Sequence, residues 1–531
     1  MTRATLRCGF ALMALGTVFL WGCASQPPAA ETQQAASLDS ARDKHPEQAL
    51  LEELALGNRI LARELAILDI QGHLTARSRI NPNHYYIARF LSPGAVTTTD
   101  FIENDLDSNP VNGPRNDQAR EIYLHGKIFK ARPDVMAIVH AHTPEFVAFG
   151  MSSVPLWSGE SMVPVWDIRP FNKGRSGIVS TPALGHAMAE KLGRSEAVLL
   201  WGHGIAMTAG SITGVVSRVN DLRNGAQLQQ AVISMGGVWK PQADGRITDG
   251  ASYRAWEYYK QAELKTTGGR VSTSPPPAAA KPSNPDEATA RDLVLANRIL
   301  ASEELGILDT FGHVSVRNSQ NPDSYFVAPG VSAGAVKAGD VVQRDTSKPD
   351  SDTQGLSIDD EVYKARPDVM AVLYARTPEV VAFTEGPEKL RPVVNGGAFI
   401  GDGLPVFNMG SLDPRQPLLG NPALGRGVAE ALGKKAGVLL SGHGFVLTGR
   451  SIYNLVDQAY QLRQNAKIQQ QAIALRGRVT HLNDLPVPPE PAQIGPARPQ
   501  PIDNAPQPPP ALLGPPEGRA WVYWSQNVSL D

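Results

Sequence analysis

Val135-Met-Ala-Ile-Val-His-Ala-His142 is the stretch around which the chain is organised. Its apolar run reads as a buried β-strand that ends in His-x-His. Side chains alternate faces along a strand, so residues two apart point the same way. His140 and His142 therefore project together from the strand's end, as two metal ligands would. A His-x-His pair alone is often a surface accident, so its weight depends on whether the chain supplies further ligands.

The stretch has a second edition. Lys130-Ala-Arg-Pro-Asp-Val-Met-Ala137 returns as Lys364-Ala-Arg-Pro-Asp-Val-Met-Ala371, Gly72-His-Leu-Thr-Ala-Arg77 as Gly312-His-Val-Ser-Val-Arg317, and Pro182-Ala-Leu-Gly185 as Pro422-Ala-Leu-Gly425. Val198-Leu-Leu-Trp-Gly-His-Gly204 returns as Val438-Leu-Leu-Ser-Gly-His-Gly444, and Arg254-Ala-Trp256 as Arg519-Ala-Trp521. Units of this length are whole domains from a duplication, not solenoid repeats. The spacing predicts copy one over residues 46–265 and copy two over 287–526. A Pro/Ser/Ala-rich linker at 266–286 joins them, and a Pro-rich insertion at 486–516 lies inside copy two.

Periodicity predicts, in copy one, helices over 47–68, 119–130, 183–192 and 212–235, and strands over 73–77, 84–91, 136–140 and 197–200. Strands and helices interleave. The fold class expected is α/β: two tandem α/β/α domains, each with a mixed, largely antiparallel central sheet.

With 531 residues the chain is too long for one ordinary core. Its formal charge of -2 gives no electrostatic case for nucleic acid. Both cysteines, Cys8 and Cys23, lie near the N-terminus, so the stability of the body rests on packing. Arg3 and Arg7 precede an apolar run from Gly9 to Gly22 that is short for a membrane span. The run closes in Leu20-Trp-Gly-Cys23, which resembles a bacterial lipoprotein signal, Trp21 being a departure from its usual small residue. That resemblance implies a signal over 1–23, lipid on Cys23, a flexible tether over 24–45, and export. Ala24 after the cysteine implies an outer-membrane anchor facing the periplasm.

Further ligands are present. Glu121 and His125 are four apart on a predicted helix and share a face. His203 sits in Trp201-Gly-His-Gly204, where glycines free the backbone to turn. Three histidines with a carboxylate nearby suit a catalytic zinc-type centre, and manganese, iron or cobalt would also accept nitrogen ligands. Copy two acts as an internal control. Gly355 stands at the position of Glu121, Asp359 at His125, Tyr374 at His140 and Arg376 at His142, and only His203 keeps a counterpart, His443. Copy two thus keeps the scaffold text without the ligands, and the Arg376 guanidinium would repel a cation.

Glu121, Arg132-Pro-Asp134, His140-Ala-His142 and His203-Gly204, in that order and spacing, resemble the class II aldolase/adducin family. The resemblance runs through nearly all of the chain after residue 45, once per copy. It implies that His140, His142 and His203 bind a divalent metal and that Glu121 is the acid/base. It further implies a Lewis-acid role for the metal, stabilising the enediolate left when a carbon–carbon bond breaks. Family enzymes form fourfold assemblies with sites at subunit boundaries, which implies a homo-oligomer and a copy two that completes the cleft of copy one. The family's sugar-phosphate aldolases hold phosphate with a Gly-Asn turn and a Ser-Ser pair. Gly72-His73 and Ala119-Arg120 stand there instead. The text at 72–77, 89–94 and 105–107 resembles decarboxylase-like members that act on hydroxylated carboxylates. Arg77, Arg89 and Arg120 are then candidates to hold a carboxylate, and His125 to line the pocket. Adducin, a family member with a non-catalytic role, supplies the competing expectation of a binding or scaffold lipoprotein.

Overall fold

The computed structural model describes residues 46–112, 118–172, 177–241, 249–266, 282–347, 356–409 and 421–484, together with Trp521 and Trp524. Cys23 and the segments read as signal and tether lie outside the described residues. So do Gly355, the insertion at 486–516 and most of the linker. The chain divides into Met1–Gln48 and Ala49–Asp531, and the second unit contains both copies.

Each copy builds its own seven-stranded sheet. In copy one the strands are β1 (His73–Arg77), β2 (His84–Ala88), β3 (Phe101–Asp105), β4 (Ala137–Ala141), β7 (Val165–Trp166), β8 (Ala197–Leu200) and β9 (Gly204–Ala209), while β5 (Trp157–Ser158) and β6 (Ser161–Met162) form a separate hairpin. The order is β3-β2-β1-β4-β9-β8-β7. All neighbours are antiparallel except β7 and β8. Copy two repeats this order with β12-β11-β10-β13-β16-β15-β14, from β10 (His313–Arg317), β11 (Ser324–Val327), β12 (Val342–Asp345), β13 (Ala371–Ala375), β14 (Val406–Phe407), β15 (Gly437–Leu440) and β16 (Gly444–Gly449). The sheet is mixed and largely antiparallel, as the sequence predicts.

Strand alternation divides the core into two layers. Ala137, Val139 and Ala141 pack in the cluster that includes Leu54 and Val216, from the helices Gln48–Arg59 and Ile212–Ser234. Ile138 points the other way, into the cluster with Leu124 and Met188, from the helices Ile122–Ala131 and Pro182–Leu192. β4 is buried along its whole length, which is why its apolar residues run without a break.

Several repeated motifs belong to this scaffold. A Cβ on Gly185 would lie 2.4 Å from the Tyr123 carbonyl oxygen, and one on Gly425 2.2 Å from that of Ser357. The Pro-Ala-Leu-Gly text thus lets two helices touch backbone to backbone. In Arg-Pro-Asp, Arg132 holds Asp134 bidentately at 2.8 and 2.7 Å and donates to Gly193 O at 2.9 Å, and Arg366 does the same with Asp368 and Gly433 O.

Arg77 requires a correction. It is buried and donates to the carbonyls of Val135 (3.0 Å), Phe129 (2.6 Å), Arg132 (3.0 Å) and Pro82, with its guanidinium over the Phe129 ring. Arg317 repeats the arrangement with Val369, Tyr363, Arg366 and Pro322. An arginine committed to backbone carbonyls in both copies is a strut, not a carboxylate anchor.

The first helix is shorter than expected. It gives way after Arg59 to a π turn over Ile60–Glu64, and Ala66 then takes φ +47°, where its counterpart Gly306 takes φ +52°. Between the copies, Val147, Ala148 and Met151 pack with Val393, Val394, Ile468 and Ala472. Two backbone bonds, Ser153 N to Arg478 O (3.1 Å) and Thr480 N to Met151 O (3.0 Å), reinforce this contact.

Candidate metal centre

β1 and β4 pair so that His73 lies opposite His140 and Thr75 opposite Ile138. Directly paired residues share a face, so one face of the sheet carries His73, Thr75 and His140 toward the helix Ile122–Ala131. Glu121 immediately precedes that helix. His142 follows β4, and His203 sits in the turn between β8 and β9, where Gly202 takes φ +61°. A Cβ on Gly204 would fall 2.1 Å from the Ala141 carbonyl oxygen, so only glycine lets this turn close against β4.

The four residues converge. One ligand atom from each of Glu121, His140, His142 and His203 lies within 4.8 Å of the others, and this is the one such group among the described residues. Glu121 Oε2 is 3.2 Å from His140 Nε2 and 3.5 Å from His203 Nε2, and His140 Nε2 is 3.0 Å from His142 Nε2. The His142 and His203 rings stack in parallel at 4.9 Å, and the His140 ring stands edge-on to both.

The outer nitrogens fix the tautomers. His140 Nδ1 faces Ile205 O at 3.0 Å, His142 Nδ1 faces Asp69 Oδ1 at 3.0 Å, and His203 Nδ1 faces Gly177 O at 2.7 Å. A carbonyl or carboxylate oxygen only accepts, so each Nδ1 carries the proton. With Nδ1 assigned as the protonated nitrogen from this network, the neutral form of each ring turns its Nε2 lone pair inward. Three lone pairs and a carboxylate oxygen meeting at one point repel one another unless a cation sits among them, and the donor set suits a divalent ion with nitrogen preference.

Electrostatics follow the same geometry. Burial would raise the Glu121 carboxyl, but His203 and His140 outweigh it and hold it well below the usual carboxylate range. Burial, only partly offset by Glu121, lowers His140. For His203 burial again lowers, yet the Glu121 carboxylate and the Gly177 carbonyl prevail and raise it. Glu121 Oε1 accepts from Val179 N at 2.9 Å, which leaves Oε2 toward the histidines.

The other expected residues divide. His125 is fully buried beside the cluster, with Nδ1 2.8 Å from Thr75 Oγ1, and burial drives its pKa down to about 3, so its ring is neutral. Arg89 pairs with Asp100 at 2.7 Å, and Arg120 is exposed next to Glu121. The structure adds His73, whose ring lies 6.0 Å from that of His140 and 5.7 Å from that of His125. It also adds Asp69, Gly177 and Val179. Asp69 recurs as Asp309 in the copy without the histidines, so its residue type does not mark it as a site residue, and a backbone carbonyl or amide leaves no trace in sequence.

In copy two the same positions hold a different network. Arg376 pairs with Asp309 at 2.5 Å and lies over the Phe311 ring, and Asp359 accepts from Ser315 at 2.5 Å and faces His313 Nε2 at 2.9 Å. His443 Nδ1 bonds Ser441 O, and Tyr374 fills the place of His140.

The family model for the Class II Aldolase and Adducin N-terminal domain matches residues 52–230 and 291–470. Among curated proteins, Decarboxylase tropJ of Talaromyces stipitatus is 31% identical over 189 residues, 32% of this chain and 71% of that protein. The 3,4-dihydroxyphthalate decarboxylase of Arthrobacter keyseri is 28% identical over 215 residues, 37% of this chain and 84% of that protein. Among solved structures, an aldolase II superfamily protein from Pseudomonas syringae aligns with 44% of this chain and 99% of its own, at 22% identity and a TM-score of 0.37.

Proposed function

Since the chain belongs to the class II aldolase and adducin family, once in each copy, we propose that copy one is a metal-dependent carbon–carbon lyase of the carboxy-lyase type and that copy two is non-catalytic. The observation that carries the reading is the convergence of three Nε2 lone pairs on Glu121 Oε2. His140, His142 and His203 would hold the ion. Zinc is the ion proposed, with manganese, iron and cobalt as its competitors. The ion supplies Lewis-acid charge that favours electron density developing on a substrate oxygen as a carbon–carbon bond breaks.

The chain's own residues do the rest. Glu121 Oε2 is the oxygen available to give or take a proton, because Oε1 is held by the Val179 amide. Neutral His125, with His73 beside it, walls the centre on the helix side and keeps water from it. The substrate class proposed is a small hydroxylated, aromatic-type carboxylate. Two observations support it: the relatives named above are decarboxylases, and Gly72-His73 and Ala119-Arg120 lack the hydroxyl and amide groups that would hold a phosphate.

The test is a screen of hydroxylated aromatic carboxylates for CO2 release alongside sugar phosphates for aldol cleavage. CO2 release that falls at least about 100-fold in Glu121→Gln is expected, the usual scale for loss of a general acid or base. Aldol cleavage alone would redirect the substrate assignment, and unimpaired turnover in Glu121→Gln would remove that residue from its role.

A further inference from the structure

Two of the three histidines are oriented from outside copy one's sheet. His140 donates to Ile205 O on the neighbouring strand β9, an acceptor internal to the domain. The acceptors for His142 and His203, Asp69 Oδ1 and Gly177 O, lie on loops instead, and copy two reaches both loops.

Beside Asp69, Ile70 is 4% exposed and is buried in the apolar cluster of copy two, where every other fully buried member comes from residues 293–524. Ala95 of copy one packs against the same cluster. Burial first, then the Asp69, Glu304 and Asp457 carboxylates, push the Tyr460 phenol well above its usual range, so Asp69 is within electrostatic reach of copy two. Within the loop, Gln71 N and Gly72 N donate to Asp69 Oδ1 at 3.0 and 2.8 Å.

At the other loop, a Cβ on Gly177 would fall 1.9 Å from Asn395 Nδ2, so the two residues are packed against each other. In the ligand turn itself, a Cβ on Gly202 would meet Leu482 at 3.3 Å and Val393 O at 3.4 Å. Asn395 opens the 3-10 turn Asn395–Ile400. Copy one uses the β5–β6 hairpin in the corresponding place, so copy two departs from the shared fold where it faces the centre. The opposite arrangement is not made: Thr310, the counterpart of Ile70, is exposed.

We propose that copy two is the positioning half of copy one's metal centre. Ile70, through Asp69, and Asn395, through Gly177, are positioning residues that set how His142 and His203 present their Nε2 atoms. This gives the ligand-free copy a task that its own chemistry does not supply. It rests on reading the histidine cluster as a metal centre.

The experiment measures Zn²⁺ affinity by chelator competition, and the visible spectrum of the Co²⁺-loaded protein, in the full chain. The variants are Ile70→Thr (the residue copy two carries), Ile70→Val and Asn395→Ala. Val316→Ala, in the same apolar cluster, controls for general destabilisation. Loss of an outer hydrogen-bond partner lowers metal affinity about 10–100-fold. Ile70→Thr and Asn395→Ala should each lose about tenfold and shift the Co²⁺ bands, while Ile70→Val and Val316→Ala keep the wild-type spectrum. Wild-type affinity and spectrum in both Ile70→Thr and Asn395→Ala would overturn the proposal and leave the metal centre standing. Asn395 is exposed, so its variant remains informative if Ile70→Thr unfolds. A wild-type protein that takes up no Co²⁺ would overturn the metal reading itself.

Discussion

At the scale of single residues, protonation and backbone strain make the sharpest predictions. Burial lowers His203, but Glu121 and the Gly177 carbonyl outweigh it and raise the ring. A proton on that ring and a metal ion compete for the same Nε2. Metal affinity should therefore fall as pH drops through the raised His203 range, by about tenfold per pH unit below it, and level off above it. Calorimetric titrations across pH would check the slope and should detect a released proton near the midpoint. Ala66 is held at φ +47° where copy two has Gly306, and a left-handed conformation costs a residue with a side chain about 1 kcal/mol. Ala66→Gly should raise the unfolding free energy by about that amount in denaturant melts. The converging residues His140, His142, His203 and Glu121 are legible in sequence because side-chain chemistry at fixed spacing is a written signal. Asp69 is not, because its role lies in which nitrogen it faces. The role of Arg77 is not legible, because an arginine looks the same in sequence whether it binds carbonyls or a carboxylate.

At the scale of elements, the repeated motifs separate into scaffold and site. Arg77 serves four carbonyls, and its removal leaves buried acceptors unsatisfied. Arg77→Ala should destabilise copy one by about 2–4 kcal/mol, and Arg317→Ala should do the same in copy two, as read by chemical denaturation. Gly185→Val should push the helix Pro182–Leu192 off Tyr123 O and cost about 1–3 kcal/mol as an overpacked contact. Periodicity revealed the amphipathic helices and the strands β1, β2, β4 and β8. It missed the helix Pro144–Met151, which is almost entirely buried and so shows no polar face. It also missed β9, whose six residues are all buried and begin inside the ligand turn. Periodicity extends the first helix beyond its end because the apolar spacing continues through the π turn, which periodicity cannot distinguish from α-helix.

At the scale of the whole molecule, duplication has produced two sheets of the same order with different contents. Copy one has the donor set. Copy two keeps His443, but Tyr374 and Arg376 stand at the positions of His140 and His142, and Arg376 pairs with Asp309. The tandem architecture was legible because the two texts can be compared directly. The packing of one copy on the other's loops was not, since Ile70 differs from any buried apolar residue only in which core receives it. The proposed function requires a single metal centre per chain, built in copy one. Its most direct test is the metal content of the purified full chain by elemental analysis, in wild type, in the double variant His140→Ala/His142→Ala, and in His443→Ala. One divalent ion per chain is expected in wild type and His443→Ala, and none in the double variant. A metal-free wild type, two ions per chain, or undiminished metal in the double variant would contradict it.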